Sequence, residues 1–197
     1  VAFANQYGKA GQLQELHESA IASARRAIEI APGLADAYST LGFTLFQGKL
    51  DARGARAPFE RSKELGAGEA TVLARFAQYS ARVGRHQDAA AAIQRALLLD
   101  KLNPLIHRAA GAIEYAARSY GSSIPPTRQA LQMNPRMSRA HAAIGDALFM
   151  LGRLDEAREG GGEIRDDRRH GPGVRVDVLQ PRGIAERVDH HVRAVDI

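Results

Sequence analysis

The 197-residue chain contains no cysteine and no tryptophan. Without thiols it can form neither a disulfide nor a thiolate metal site, and such a composition suits a reducing compartment; a cytoplasmic location is expected. No apolar run approaches the roughly 18 residues that a bilayer-crossing helix needs. No charged, apolar and small-residue succession marks a signal peptide. The chain starts at Val1 rather than Met and reads as a fragment or a processed product. Lys and Arg exceed Asp and Glu by 27 to 22, but the basic residues are spread along the chain. Nucleic-acid contact requires a clustered stripe, so none is expected from this segment.

What the chain has is a period. Small residues recur at Ala20, Ala55, Ala89, Ser123 and Ala157, at Ala27, Ser62, Ala96 and Ala130, and at Gly42, Ala77, Gly111 and Gly145. The first step in each series is 35 residues and the later ones are 34. Three series in one phase indicate stacked supersecondary units rather than one closed globule.

Each unit reads as two helices. Tyr38, Leu41, Gly42 and Leu45 fall at i, i+3, i+4 and i+7, one face of an amphipathic helix. Gln47-Gly48-Lys49 reads as a turn, and Ala55, Phe59 and Ser62 as the inner face of a second helix closed by Leu65-Gly66. The next unit repeats this with Leu73, Phe76, Ala77 and Ser80, the turn Val83-Gly84-Arg85, then Ala89, Ile93, Ala96 and Leu99. His107, Ala110, Gly111 and Glu114, the turn Arg118-Ser119-Tyr120, and Ser123, Thr127, Ala130 and Met133 make a third. His141, Ile144, Gly145 and Leu148, with Leu151-Gly152-Arg153-Leu154 and Ala157, begin a fourth. The unit is an αα-hairpin. Only Gly, Ala or Ser at the crossing points lets two helix axes approach to about 8–10 Å. Pro32 and Pro135 stop the second helix of a unit, because proline lacks the N–H that would continue it.

These marks resemble the tetratricopeptide repeat (TPR) family, a helix–turn–helix of about 34 residues with Leu-Gly, Tyr, Ala, Phe and Pro signatures. The best matches are Tyr38-Ser39-Thr40-Leu41-Gly42 with Ala55 and Phe59, and His141-Ala142-Ala143-Ile144-Gly145 with Leu148, Gly152 and Ala157. The stretch from Leu99 to Glu159 is also similar to TPR regions of bacterial winged-helix regulators and adenylate-cyclase-type signalling proteins. The resemblance implies an all-α, right-handed α-solenoid. The expected division is an incomplete repeat over 1–33, repeats over 34–68, 69–103 and 104–136, and an incomplete one over 137–158, followed by an aberrant tail over 159–197.

The resemblance further implies a non-catalytic scaffold that binds a protein or peptide along its first helices, which line the concave face. By family phase the outward positions are Asp36, Ser39, Phe43, Phe46 and Gln47, then Ala74, Arg75, Gln78 and Arg82, then Arg108, Ala112 and Tyr115, then Arg139, Asp146 and Phe149. Aromatic rings with forked guanidinium donors are the usual hot-spot chemistry of interfaces. The competing reading of the same aromatics is packing against adjacent helices. The Lys and Asn of the family's clamp for chaperone C-termini have no counterparts at matching positions. The alternative function is a regulatory or oligomerisation segment of a larger bacterial transcription regulator or signalling enzyme whose N-terminal domain is missing.

Several residues depart from the pattern. Tyr7-Gly8 reads as the end of a helix, with an irregular connection from Gly8 to Glu15 before a helix over Leu16–Ile30. Glu114 takes a place the family gives to a large packing residue and is expected to reach solvent or an Arg. Pro58 and Pro125-Pro126 are expected in first turns, where N–H groups have no intrahelical partner. After Arg158 the composition changes: there is no Ser, Thr, Lys, Asn, Phe, Tyr or Met, and Val appears six times against three in everything before. A disordered tail and a shifted reading frame both account for that.

Catalytic constellations are absent from the sequence pattern, and no cofactor is expected. Asp189-His190-His191 matches only one element of the DHH phosphoesterases, without that family's other acidic clusters. His170, His190 and His191 follow no zinc spacing. His107 and His141 occupy inward positions and are expected to pack rather than catalyse.

Overall fold

Amphipathic stretches separated by short polar turns fold here as successive antiparallel helices. The structure, a computed structural model, describes residues 2–158. The tail over 159–197, with Asp189-His190-His191 and the altered composition, lies outside the described residues. All regular structure among the described residues is helical: α1 (Ala2–Ile30), α2 (Ala35–Phe43) continued by a π-helical turn (Thr44–Gly48), α3 (Arg56–Leu65), α4 (Ala70–Arg82), α5 (His86–Leu99), α6 (Pro104–Ala116), α7 (Tyr120–Met133) and α8 (Ser138–Met150), with helical backbone again over 154–158.

Consecutive helices pair as hairpins, α2 with α3, α4 with α5 and α6 with α7. The first helices of the hairpins also touch one another in order, α2 to α4 to α6 to α8, and so form one continuous layer. The second helices α3, α5 and α7 each rest on the first helix of the next hairpin. The central core carries Phe59, Val72, Phe76 and Ile106, all essentially inaccessible to solvent.

The small residues sit at the crossings. Ala55, Ala77, Ala89, Ala96 and Ala130 are wholly buried. A methyl added at Gly42 would lie 2.9 Å from the Phe59 ring. One added at Gly111 would strike the Thr127 hydroxyl and lie 2.8 Å from the Ser123 carbonyl oxygen. Gly145, the same position one unit on, has open space instead. At the ends of the array Ala20, Ala27 and Ala157 are only half-buried, because each lacks a neighbouring unit on one side.

A fourth series, with every step 34 residues, emerges from the backbone. Leu50, Gly84, Arg118 and Gly152 all adopt positive φ, at 54°, 82°, 62° and 73°. Each ends the first helix of its hairpin in the left-handed conformation that glycine adopts most cheaply. The residue after it then closes the helix end. The N–H groups of Arg85, Ser119 and Arg153 donate to the carbonyls of Ser80, Glu114 and Leu148, five residues back, at 2.8–2.9 Å. In the first hairpin Asp51 N–H reaches Leu45, six back, at 2.9 Å. The extra residue lies between Gly42 and Leu50, and the π turn accommodates it, with Lys49 N–H donating to Thr44 at 3.2 Å. A π turn is how a helix absorbs one inserted residue without breaking. This explains why the first step of each small-residue series is 35.

Three local expectations are corrected. The irregular connection over Gly8–Glu15 is not there: α1 runs unbroken from Ala2 to Ile30. Gly8 and Gly11 each cost about 1 kcal/mol in a helix, but no proline interrupts the segment. The first turn is not Gln47-Gly48-Lys49, since the π segment reaches Gly48 and the left-handed residue is Leu50. Pro58 does fall in the first turn of α3, whereas Pro125 and Pro126 lie inside α7. The buried residues Ser123, Ile124 and Thr127 meet α6 only if α7 starts at Tyr120, so packing overrides the proline penalty. The carbonyls freed at Gly121 and Ser122 belong to exposed residues that water can satisfy.

Candidate functional site

The continuous layer of first helices presents one long face, and its polar residues fall into two groups. At α2 and α4, Arg75 donates to Asp36 at 3.2 Å and to Thr40 Oγ1 at 3.3 Å, while its guanidinium carbon lies 5.7 Å from the centre of the Phe43 ring. Phe43 stays 39% exposed. Beside this group, Phe46 stands edge-on to Tyr79 at 5.2 Å, and Tyr79 stacks on Phe59 at 4.6 Å. The Tyr79 hydroxyl donates to the Ala52 carbonyl at 3.1 Å, which fixes the ring. The Arg82 guanidinium lies 5.9 Å from the Phe46 ring centre. Phe46 is held on one side by the core, and both rings are capped by a guanidinium, which pre-positions them as contact groups.

The second group is cationic. Arg108 on α6 is half-buried, and among the described residues no acid lies within ion-pairing distance of it. Its neighbours are Arg139 of α8 and Arg82 of α4. Burial first, and then repulsion from Arg139 and Arg82, push its guanidinium pKa below the ordinary arginine value. Arg82 and Arg139 are exposed and likewise have no acid partner among the described residues. Arg75, by contrast, is neutralised by Asp36.

The remaining expected positions divide. Gln78 is half-buried, its amide directed at the Ala74 carbonyl 3.5 Å away. Tyr115 turns edge-on to Tyr120 at 5.1 Å and packs against the cluster of Ile124, Ile144 and Leu148, so much of its ring belongs to the core. Asp146 is exposed, and Phe149 is 65% exposed at the end of α8. Ser39 and Ala74, expected outward, are buried instead, because neighbouring first helices close over them. Ser39 Oγ there has no hydrogen-bond partner.

That burial marks a signal the repeat phase contained. Ser39, Ala74 and Arg108 stand at one repeat position, 35 and then 34 residues apart. The first two units fill it with a small buried residue, the third with a long cation and the fourth with the exposed Ala142. Thr40, which shares Arg75 with Asp36, is a site residue the sequence reading missed, although it stands at the same repeat position as Arg75, 35 residues before it.

Two of the histidines are tied to the backbone. His107 Nε2 is 2.8 Å from the Lys101 carbonyl oxygen and His141 Nε2 is 2.8 Å from that of Pro135, the same six-residue tie in two units. Glu114 is half-buried and forms no ion pair among the described residues. Among the described residues no cluster of His, Asp or Glu could hold a metal ion, and no helix is long and apolar enough to cross a membrane.

No protein-family model matches the chain, and no curated protein matches it. Solved structures do. The chain is similar to PilF of Pseudomonas aeruginosa, with TM-score 0.63 and 20% identity over 86% of this chain and 75% of that one. It is similar to MamA, from residue 41 on, of Desulfovibrio magneticus RS-1, with TM-score 0.61 and 12% identity over 83% and 98% of the two chains. A tetratricopeptide repeat protein from Parabacteroides merdae gives TM-score 0.64 and 14% identity over 80% of this chain and 60% of that one. These are TPR proteins, and the likeness shows that the fold is the TPR solenoid.

Proposed function

We propose that this TPR-fold solenoid is a non-catalytic scaffold that binds a protein or peptide segment along the face formed by α2, α4, α6 and α8. The observation that carries the reading is the pair of guanidinium-capped rings, Arg75 over Phe43 and Arg82 over Phe46, on one open face of the helix layer. Aromatic and arginine anchors on a rigid surface are what peptide hot spots use. The layer is braced because α2, α4 and α6 are each fixed by their own hairpin and by the next, so little ordering cost falls on the protein when a ligand binds.

The proposed contact residues are Phe43, Phe46, Arg75, Gln78, Arg82, Arg108, Arg139, Asp146 and Phe149, with the exposed edge of Tyr115. Selection of a random displayed peptide library on the purified chain tests this. Selected peptides are expected to lose at least about tenfold in affinity on Phe43→Ala or Phe46→Ala and to ignore Gln94→Ala, an exposed change on α5. Peptides that respond to Gln94→Ala and not to the phenylalanine changes would place the binding surface elsewhere.

A further inference from the structure

Three cations stand on adjacent first helices of this face, Arg82 on α4, Arg108 on α6 and Arg139 on α8, with no acid among the described residues to match them. Arg108 springs from a repeat position that holds Ser39 and Ala74, both buried, in the two units before it and the exposed Ala142 in the unit after. Its side chain is half-buried on α6, which touches α4, with Arg82, and α8, with Arg139. A guanidinium loses hydration by burial and gains it back only through oxygen acceptors. Here none comes from an acid of the described chain.

We infer that the occupant of this face is an acidic peptide segment of a partner protein, whose carboxylates sit between Arg108 and its flanking Arg82 and Arg139. The inference rests on the preceding reading that the first-helix face is the docking surface. Carboxylates fit for three reasons. The guanidinium fork matches two carboxylate oxygens in one plane. Carboxylates on alternate residues of an extended peptide can each meet a different arginine of the trio. The capped rings of Phe43 and Phe46 flank the cations and suit apolar side chains between the acids.

A nucleic-acid backbone fits less well. It carries charge uniformly, whereas the unmatched cations of this face are three single residues, on α4, α6 and α8. Asp36 neutralises Arg75 at the α2 end, and Asp146 stands exposed on α8. A uniform polyanion would gain nothing at the paired Asp36 and Arg75 and meet repulsion at Asp146, while a peptide can place its acids at the three arginines alone.

The test uses the full chain and a short fluorescein-labelled peptide alternating Glu and Ala around one Phe, read by fluorescence anisotropy. Companion probes replace Glu by Gln, replace Glu by Lys, or are a single-stranded oligothymidylate of equal charge. The Glu peptide is expected to bind at least about tenfold tighter than the Gln peptide, and Arg108→Gln to remove most of that difference. Arg108→Glu, its fold checked by circular dichroism, is expected to lose the Glu peptide and prefer the Lys peptide. Arg95→Gln, an exposed change on α5, is expected to leave both unchanged. Equal binding of Glu and Gln peptides, or tighter binding of the oligonucleotide, overturns the inference and leaves the docking face standing. If no peptide, from this set or from the library, responds to changes on the face, both fall together.

Discussion

Leu50 and Arg118 occupy a backbone position made for glycine, and replacing each with glycine should stabilise the chain. Their φ angles are 54° and 62°, against 82° and 73° at the equivalent Gly84 and Gly152. A side chain in the left-handed region costs about 1–2 kcal/mol through the Cβ clash with the carbonyl oxygen. Glycine gives back roughly 0.5–1 kcal/mol in extra unfolded-state freedom. The net gain is therefore about 0.5–1 kcal/mol at each site. Little packing is lost at Leu50, which is 85% exposed, and Arg118 is exposed too. The two turns lie in hairpins separated by a whole repeat, so Leu50→Gly with Arg118→Gly should gain about 1–2 kcal/mol together. In a chain of this size that raises the thermal midpoint by about 2–8 °C. Gly84→Ala and Gly152→Ala should move it the other way by about 1 kcal/mol each, although an added methyl at either has free space around it. Melting curves of all five variants by far-ultraviolet circular dichroism, with urea titration alongside, provide the check. A lower midpoint for either glycine-introducing variant, or an unchanged one for both alanine variants, would refute the reasoning.

Three further predictions use the same two methods. Gly111→Ala should destabilise by about 1–3 kcal/mol because the methyl meets the Thr127 hydroxyl and the Ser123 carbonyl, whereas Gly145→Ala, with open space, should gain up to about 1 kcal/mol from helix propensity; matching effects at the two sites would contradict the crossing-point account. Ser80→Ala should be neutral or stabilising by up to about 1 kcal/mol, since its wholly buried hydroxyl has no partner, and a clear loss would mean that it has one. Arg108→Met should raise stability by about 1 kcal/mol by relieving burial of a cation between two others, and a fall in the midpoint would show that Arg108 is matched within the fold.

The repeat was legible because helix crossings demand small residues at a fixed spacing, and that demand leaves a periodic trace: Gly42, Ala77 and Gly111 could be read before any coordinates. The positive-φ series was hidden because two of its four members, Leu50 and Arg118, are not glycine; there the fold imposes a conformation that the residue does not advertise. The step of 35 was visible as a number, but only the Lys49–Thr44 and Asp51–Leu45 hydrogen bonds locate the extra residue within a π turn. Pro125 and Pro126 misled because local propensity argues for a first turn, while burial of Ser123 and Thr127 against α6 sets the helix start five residues earlier. Of the face, phase alone picked out Phe43, Arg75, Arg82, Arg108 and Arg139. Which cations are neutralised depends on pairs such as Asp36 with Arg75, 39 residues apart, and no spacing rule foretells those.

The central claim is that the first-helix layer, and not the outer helices, receives a peptide. Photo-cross-linking measures this most directly: a library-selected peptide carrying a benzophenone is irradiated on the native chain and its attachment sites are mapped by mass spectrometry. The account predicts adducts on α2, α4, α6 and α8, at residues such as Phe43, Gln78 and Phe149. Adducts confined to exposed residues of α5 and α7, such as Gln94 and Arg128, would contradict it.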